Sequence, residues 1–457
     1  MMRRAAWFVA LSPLGGAEAQ DVTQTALRHD EDWSILQTIS QENDDWWRPL
    51  KYQPLDDEGR IYLTLGGEVR ARYEGYANSL WGQSTAPDDG YLWLRTLPHA
   101  DLHAGPVRGF VQGIAGYALG VAAGKGPIDE TGIDVLQSFV DIRLPIGENG
   151  ALTLRAGREL IALGSERLVG SRYGTNIPQP FDGIHAIFEH RSLRVDAFHL
   201  RPVVIGLGDF DDRKSRAKRL DGVYATLIPA SGIGIDLYWL GYVNENARFA
   251  AGAGREQRNT MGFRFFGQRG PFAWNWGAVR QRGQFDAGTI RAWSVASETS
   301  WRFIGLPLQP RVRVRANIVS GDRDPTDAVL ETSNALFPKG HYFGELSPIG
   351  PANIINVHPG IDLTLGKGLT LGIAGVAYWR KSLGDGIYSL SGALVREPGA
   401  ASSRFIGRQV EIVINWQVSD IFSLSAAAAR FAAGDFIRET GSSRTIHMTA
   451  FDARMRF

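Results

Sequence analysis

The stretch Ile61–Tyr76, "IYLTLGGEVRARYEGY", decides the fold. Its odd positions carry Ile61, Leu63, Leu65, Val69, Ala71 and Tyr73, and its even positions include Thr64, Glu68, Arg70, Arg72 and Glu74. Successive side chains of a strand point to opposite faces, so this segment has one apolar and one charged face. "RVRVRAN", Arg311 to Asn317, is a sharper version: three arginines share a face, and Val312 and Val314 share the other. In a soluble sandwich the valines would face a core and the arginines bulk water. In a membrane barrel the valines would face lipid and the arginines a channel.

Outward from these two stretches the alternation recurs in "LTLRAG", "LRVDAF", "GIDLYWLGY", "LTLGIAGVAYW", "RQVEIVINW" and the terminal "TAFDARMRF". There are about eighteen such segments, each near the roughly 9–11 residues that a tilted strand needs to cross a bilayer. The links between them alternate in length. Short links fall at Ala104 to Pro106, from Pro145, Pro229, Arg269 and Gly366, and from Val418. Long polar links run from Ala77 to Gly90, Ile161 to Phe181, Arg201 to Lys218, Gly321 to Ala352 and Leu383 to Ser403. Short turns at one end and long loops at the other are expected of an outer-membrane barrel, whereas Greek-key crossings have no reason to alternate in this way. The fold class predicted is all-β: a transmembrane, antiparallel, up-and-down barrel of about 18 strands.

The ends of the chain agree. "MMRRAAWFVALSPLGGAEAQ" has a basic start at Arg3 and Arg4, an apolar run from Ala5 to Leu14 and an Ala17-Glu18-Ala19 cleavage pattern. Residues 1–20 are therefore expected to be a signal peptide. No later segment is long and apolar enough for a spanning helix. Met455, Ala453 and Phe451 alternate outward before the terminal Phe457, a pattern that resembles the C-terminal signal of bacterial outer-membrane barrels and implies recognition by the barrel-assembly machinery. Residues 21–60, acidic and Trp-bearing, lack the alternation. They are expected on the periplasmic side, as a short helix or extended arm, with Trp46 and Trp47 at the membrane interface or against the barrel mouth. The barrel proper is placed at 61–457, in the bacterial outer membrane.

The 457 residues carry a net charge of +1, and no cysteine, which excludes disulfides, thiolate metal sites and a cysteine nucleophile. Bulk charge points to no nucleic acid or other acidic partner. Seven lysines stand against 42 arginines. Arginine binds carboxylates and phosphates bidentately and stays charged, which suits a wet site for anions, although an arginine-favouring codon usage would give the same total. No Ser-His-Asp or Asp-His grouping stands out, so no enzyme is expected. Asp322, Asp324 and Asp327 of "GDRDPTD" lack the glycine and distal glutamate of a calcium loop. They are read as a solvated turn. His99 and His103 fall in a strand pattern, and neither a metal nor a cofactor is expected.

Several segments together resemble the alginate-export family of outer-membrane proteins: "WWRPLKYQPL", "YLTLGGEVRARYEGY", "LRAGRELIALGSERLVG", "SGDRDP", "LFPKGHYFGELSPIGPANI" and "IGRQVEIVINW". The resemblance runs from Trp46 to Phe457. It implies an eighteen-stranded monomeric barrel whose best-known relatives export the anionic polysaccharide alginate through an arginine-rich constriction. One departure stands out, because the link that carries a pore-occluding periplasmic loop in alginate exporters is here a tight turn around Ser419 and Asp420.

A passive channel needs a wet lumen with the right field rather than a nucleophile or base. By alternation, Glu68, Arg70, Arg72, Arg155, Arg311, Arg313, Arg315, Tyr378, Arg380, Arg454 and Arg456 face the lumen as candidate pore-lining or substrate-binding residues. Arg70, Arg72, Arg454 and Arg456 should lie close together, because the first and last strands must pair. Glu68, Glu74, Asp141, Asp362, Glu411 and Asp452 also point inward. The arginines are therefore either an anion-reading wall or one half of an ion-paired scaffold. The function predicted is a passive outer-membrane channel for an anionic polysaccharide or related anionic solute. The alternative is a general or selective porin for small sugars or organic acids.

Overall fold

The computed structural model describes residues 22, 24–38 and 45–457. The expected signal segment, 1–20, lies outside them. Eighteen antiparallel strands close into one barrel. The first two are each broken once: β1 is Ile61–Gly66 with Glu68–Ala77, and β2 is Asp89–Thr96 with His99–Ala104. Next come β3 (Val107–Leu119), β4 (Gly132–Ile146), β5 (Gly150–Leu160), β6 (Pro180–His190), β7 (Leu193–Val204) and β8 (Lys218–Ala230). The longest strands follow, β9 (Ile233–Phe249), β10 (Gly252–Arg269), β11 (Phe272–Phe285) and β12 (Gly288–Arg302). β13 (Arg311–Val319), β14 (Ile354–Gly366) and β15 (Leu369–Arg380) lead to β16 (Phe405–Gln417), β17 (Phe422–Ala433) and β18 (Ile446–Arg456).

Each strand pairs with its neighbours in sequence, and β18 returns to β1 in a register that runs from His447 opposite Ala77 to Arg456 opposite Glu68. Closure removes the exposed edges that a free sheet would present. The breaks have local causes. Pro98 has no N–H to give to the ladder, and the β1 backbone at Gly67 instead exchanges hydrogen bonds with Phe457, in both directions. At one end the hairpins are tight, with Gly105-Pro106 and Gly270-Pro271 as the two turn residues. Gly105 and Gly270 have φ of 59° and 58°, the left-handed backbone that such turns require and that glycine adopts without a Cβ penalty. The other end carries the long loops, except where β9–β10 and β11–β12 turn in two residues.

The outer face is apolar and exposed, with Val69, Val140, Ile184, Met261, Val357 and Val410 among its side chains. Val312 and Val314, each 43% exposed, belong to it, so the arginines of "RVRVRAN" point inward. Such a band buries nothing against protein; its free energy comes from lipid contact. The protein's own core lies inside the barrel, where the loops fold back. Phe343, Tyr378, Phe431, Phe436 and Ile406 form the largest apolar cluster, and Phe181, Leu200, Leu220, Tyr242 and Phe337 a second.

Candidate functional site

Three structures fill part of the lumen, and they determine where water can pass. The loop between β5 and β6, 161–179, folds inward and meets the loop between β13 and β14, 320–353. Val169 bridges Phe337 in parallel, and Lys339 N–H donates to the Glu166 carbonyl. At the short-turn end, three short 3-10 helices, Arg28–Asp30, Trp33–Gln37 and Arg48–Leu50, enter the mouth. Their contacts fall on β1, β3, β4 and the chain end. His29 sits edge-on to Phe110 and Phe139, Arg28 donates to the Phe457 carbonyl at 2.8 Å, and Lys51 Nζ donates to the Leu65 carbonyl at 3.1 Å. Trp47 is buried in this packing, while Trp46 stays exposed beside the Phe457 ring. Burial, followed by the nearby Arg28 charge, pushes the Lys51 ammonium down to about 7.

The arginines of β1, β2 and β18 hold these inserts in place. Glu68 accepts from Arg95 at 2.6 Å, Arg456 at 2.8 Å and Tyr173 of the first loop at 2.7 Å. Arg70 binds Asp452 at 2.6 Å and spends its other nitrogens on the carbonyls of Gly174 and Thr175. Arg72 bridges Glu74 at 2.6 Å and Glu345 of the second loop at 2.7 Å. Against the opposing effect of burial, His341 and Arg72 hold the Glu345 carboxyl below the usual range. Across the barrel, Arg155 is bidentate to Asp141 and also reaches Glu159 at 2.9 Å, and His185 lies between Glu159 and Asp196.

Six of the expected lumen residues therefore point inward but are covered. Glu68, Arg70, Arg72 and Arg155 are buried in ion pairs that leave no face to water. Tyr378 and Arg380 are both 0% exposed. The first packs against Phe343 and Phe431, and the second donates to the carbonyls of Leu383, Asp385, Ala401 and Ser403, clamping the loop between β15 and β16. Alternation gives the face of a side chain, and loops that fold over that face decide whether it is wet. Arg454 and Arg456 are partly open, close to Glu68 and Asp452 as the strand closure requires.

The arginines of β13 are different. Arg311, Arg313 and Arg315 form a file on the inner wall, flanked by Glu298 of β12 and by His358 and Asp362 of β14. Their ion pairs are long: Arg311 to Glu298 is 4.0 Å, Arg315 to Glu298 is 3.7 Å, and Arg313 to Asp362 is 3.3 Å. Arg313 Nη1, Arg315 Nε and both ring nitrogens of His358 have no hydrogen-bond partner. Gly360 stands opposite Arg313, and a Cβ there would meet the guanidinium carbon at 3.0 Å, so the glycine gives the head group room to lie across the wall. Three fixed cations thus face two carboxylates. Lys339, on the in-folded loop, is pushed down by burial and then by Arg315, which places another basic group beside the file.

The file continues along β13 into a cavity bounded by the two inward loops and β8–β13, with Arg167, Tyr238, Arg264, Ser294, Asn317 and Tyr342 in its lining. Gly277 and Ala296 keep that wall thin. Sequence reasoning missed His358, Glu298, Arg167 and Lys339 as neighbours of the file. Glu298 was not among the inward carboxylates read from the alternation, and the register brings it against Arg311 and Arg315. "GDRDPTD" is solvated only in part. Asp324 and Asp327 cap exposed turns, while Asp322 is buried, and burial followed by Asp385 raises its carboxyl to about 6. One oxygen each from Asp134, Asp211 and Asp212 come within 4.8 Å of one another, and backbone N–H groups already cap Asp134 and Asp212.

Solved structures with the same fold are bacterial outer-membrane channels. Acinetobacter baumannii OccAB1 superposes with a TM-score of 0.60 over 89% of this chain and 98% of its own, at 13% identity. Pseudomonas aeruginosa OccK2 in complex with glucuronate gives 0.55, over 86% and 98%, at 13% identity. Pseudomonas aeruginosa OpdK with vanillate gives 0.57, over 86% and 98%, at 14% identity. No curated protein sequence matches the chain. The family model for alginate export matches residues 61–451, nearly the whole barrel. The chain is an outer-membrane channel, and it belongs to the alginate export family.

Proposed function

We propose that the channel passes carboxylate-bearing solutes, of the uronate class or an anionic polysaccharide built from it, by passive diffusion along the β13 arginine file. The observation that carries this reading is the file itself: three arginines against two carboxylates, held by long ion pairs and with guanidinium nitrogens that lack a hydrogen-bond partner. Fixed cations in a narrow wet passage raise the local anion concentration, and loosely held charges let the anion leave again. Arg454 and Arg456 of β18 add partly open basic groups near Glu68 and Asp452. The covered residues Glu68, Arg70, Arg72, Arg155, Tyr378 and Arg380 act as scaffold that fixes the loops.

A second reading, a selective porin for small organic acids or sugars, has its own support. The two loops meet inside the barrel and narrow the lumen, which suits a monomer better than a chain. The glucuronate and vanillate complexes of similar barrels fit that size. On either reading residues 21–60 form a periplasmic segment, the protein is a monomer, and Phe457 is the assembly signal. Single-channel recording in planar bilayers tests the choice. Anion selectivity with block by added polyuronate is expected of the polymer channel, and anion selectivity with block only by monomeric uronate of the small-solute porin. Cation selectivity would remove both anion readings.

A further inference from the structure

The outer surface carries a second arginine group, unrelated to transport. Arg280 and Arg282 of β11 and Arg291 of β12 are exposed on the lipid-facing side, around a shallow cleft that also includes Trp293. Arg282 and Arg291 are direct register partners, and Arg280 is the partner of Trp293. Like charges placed opposite each other on paired strands repel and destabilise the pairing. Among the described residues, none of the three has a side-chain hydrogen bond or ion pair. Two outward arginines toward the long-loop end do have partners: Arg219 binds Asp221 at 2.9 Å and Arg255 binds Glu245 at 2.9 Å. Arg248, Arg408 and Arg430 are exposed outward arginines without such a partner as well, but the triad adds the direct opposition of Arg282 and Arg291 across a strand pair.

Its height on the barrel indicates what compensates it. Trp239, Met261, Arg280 and Trp293 lie on one rung across β9–β12, all exposed, and below them on the same face come Phe263, Trp276 and Val295. Exposed tryptophans mark the level where hydrocarbon meets head groups. Arg282 and Arg291 sit one rung nearer the loops, where an anionic head group would lie. We infer that Arg280, Arg282 and Arg291 bind the phosphorylated head group of an outer-leaflet glycolipid, its phosphate bridging Arg282 and Arg291 and its acyl chains lying along the Trp276–Val295 surface. Guanidinium groups bind phosphate oxygens bidentately, and one phosphate between two arginines turns a repulsive pair into an attractive triplet.

Native mass spectrometry of the detergent-purified barrel, titrated with bisphosphorylated lipid A, tests this. The wild type should retain lipid A, and the triple variant Arg280→Gln, Arg282→Gln, Arg291→Gln should bind at least tenfold more weakly. The single variant Arg291→Glu, which would pair with Arg282 and so keep the barrel folded, should lose the lipid equally. The rim control Arg255→Gln with Glu245→Gln should retain it. Inorganic phosphate at millimolar concentration should displace nothing, because it lacks the acyl chains. Undiminished lipid binding in either arginine variant would overturn the assignment. So would equal loss in the rim control, or displacement by inorganic phosphate, which would make this a free-anion site.

Discussion

Replacing Arg311, Arg313 and Arg315 together with Gln removes three positive charges from one wall and leaves Glu298 and Asp362 in place. Alternate residues of an antiparallel strand are about 6.8 Å apart, so an anion about 5 Å from the Arg313 head group is about 8.4 Å from the other two. At the dielectric constant of water the three attractions total about 1.8 kcal/mol before screening. Screening reduces this to about 0.8 kcal/mol at 0.15 M salt and about 1.4 kcal/mol at 0.01 M. A cation is repelled by as much, so the anion-to-cation permeability ratio should fall about fifteenfold at physiological salt and about a hundredfold at low salt. Reversal potentials under a KCl gradient, measured at both ionic strengths, read this directly. Folding should survive, because the ion pairs lost are long and partly exposed. A ratio that changes less than twofold at 0.01 M would mean that the file does not set the field of the passage.

Three further outcomes follow from the paired network. Glu68→Ala leaves the buried Arg95 and the partly open Arg456 without their carboxylate, so urea unfolding should show a loss of about 3–5 kcal/mol, against little change for the partly open Arg454→Gln. Arg72→Gln releases Glu345, so the 341–347 segment should gain hydrogen exchange and single-channel conductance should rise. Lys51 has a folded-state value of about 7 against about 10.4 when unfolded, so the cost of burying its charge is complete below pH 7 and is relieved as pH rises from 7 toward about 10.4. Hydrogen-exchange protection of residues 28–38 and 45–52 should increase from pH 7 to 9 in the wild type. It should be flat with pH in Lys51→Met.

The alternation of Ile61–Tyr76 and Arg311–Asn317, with the rhythm of short and long links, was enough to establish a barrel and to turn Val312 and Val314 to lipid. Both signals are local: a strand's period is two whatever surrounds it, and a tight hairpin needs its glycine wherever it occurs. The inward carboxylates were also legible, and so was the closeness of Arg70 and Arg72 to Arg454 and Arg456. The sequence could not separate Arg155, held by Asp141 and Glu159, from Arg313, held only loosely by Asp362. That difference depends on cross-strand register and on which loop folds over which wall, and both bring together residues far apart in the chain, such as Arg72 and Glu345. Chain periodicity thus determined the faces. Only the tertiary packing decided which charges are neutralised and which remain open to water, because a charge's worth depends on distances that periodicity does not contain.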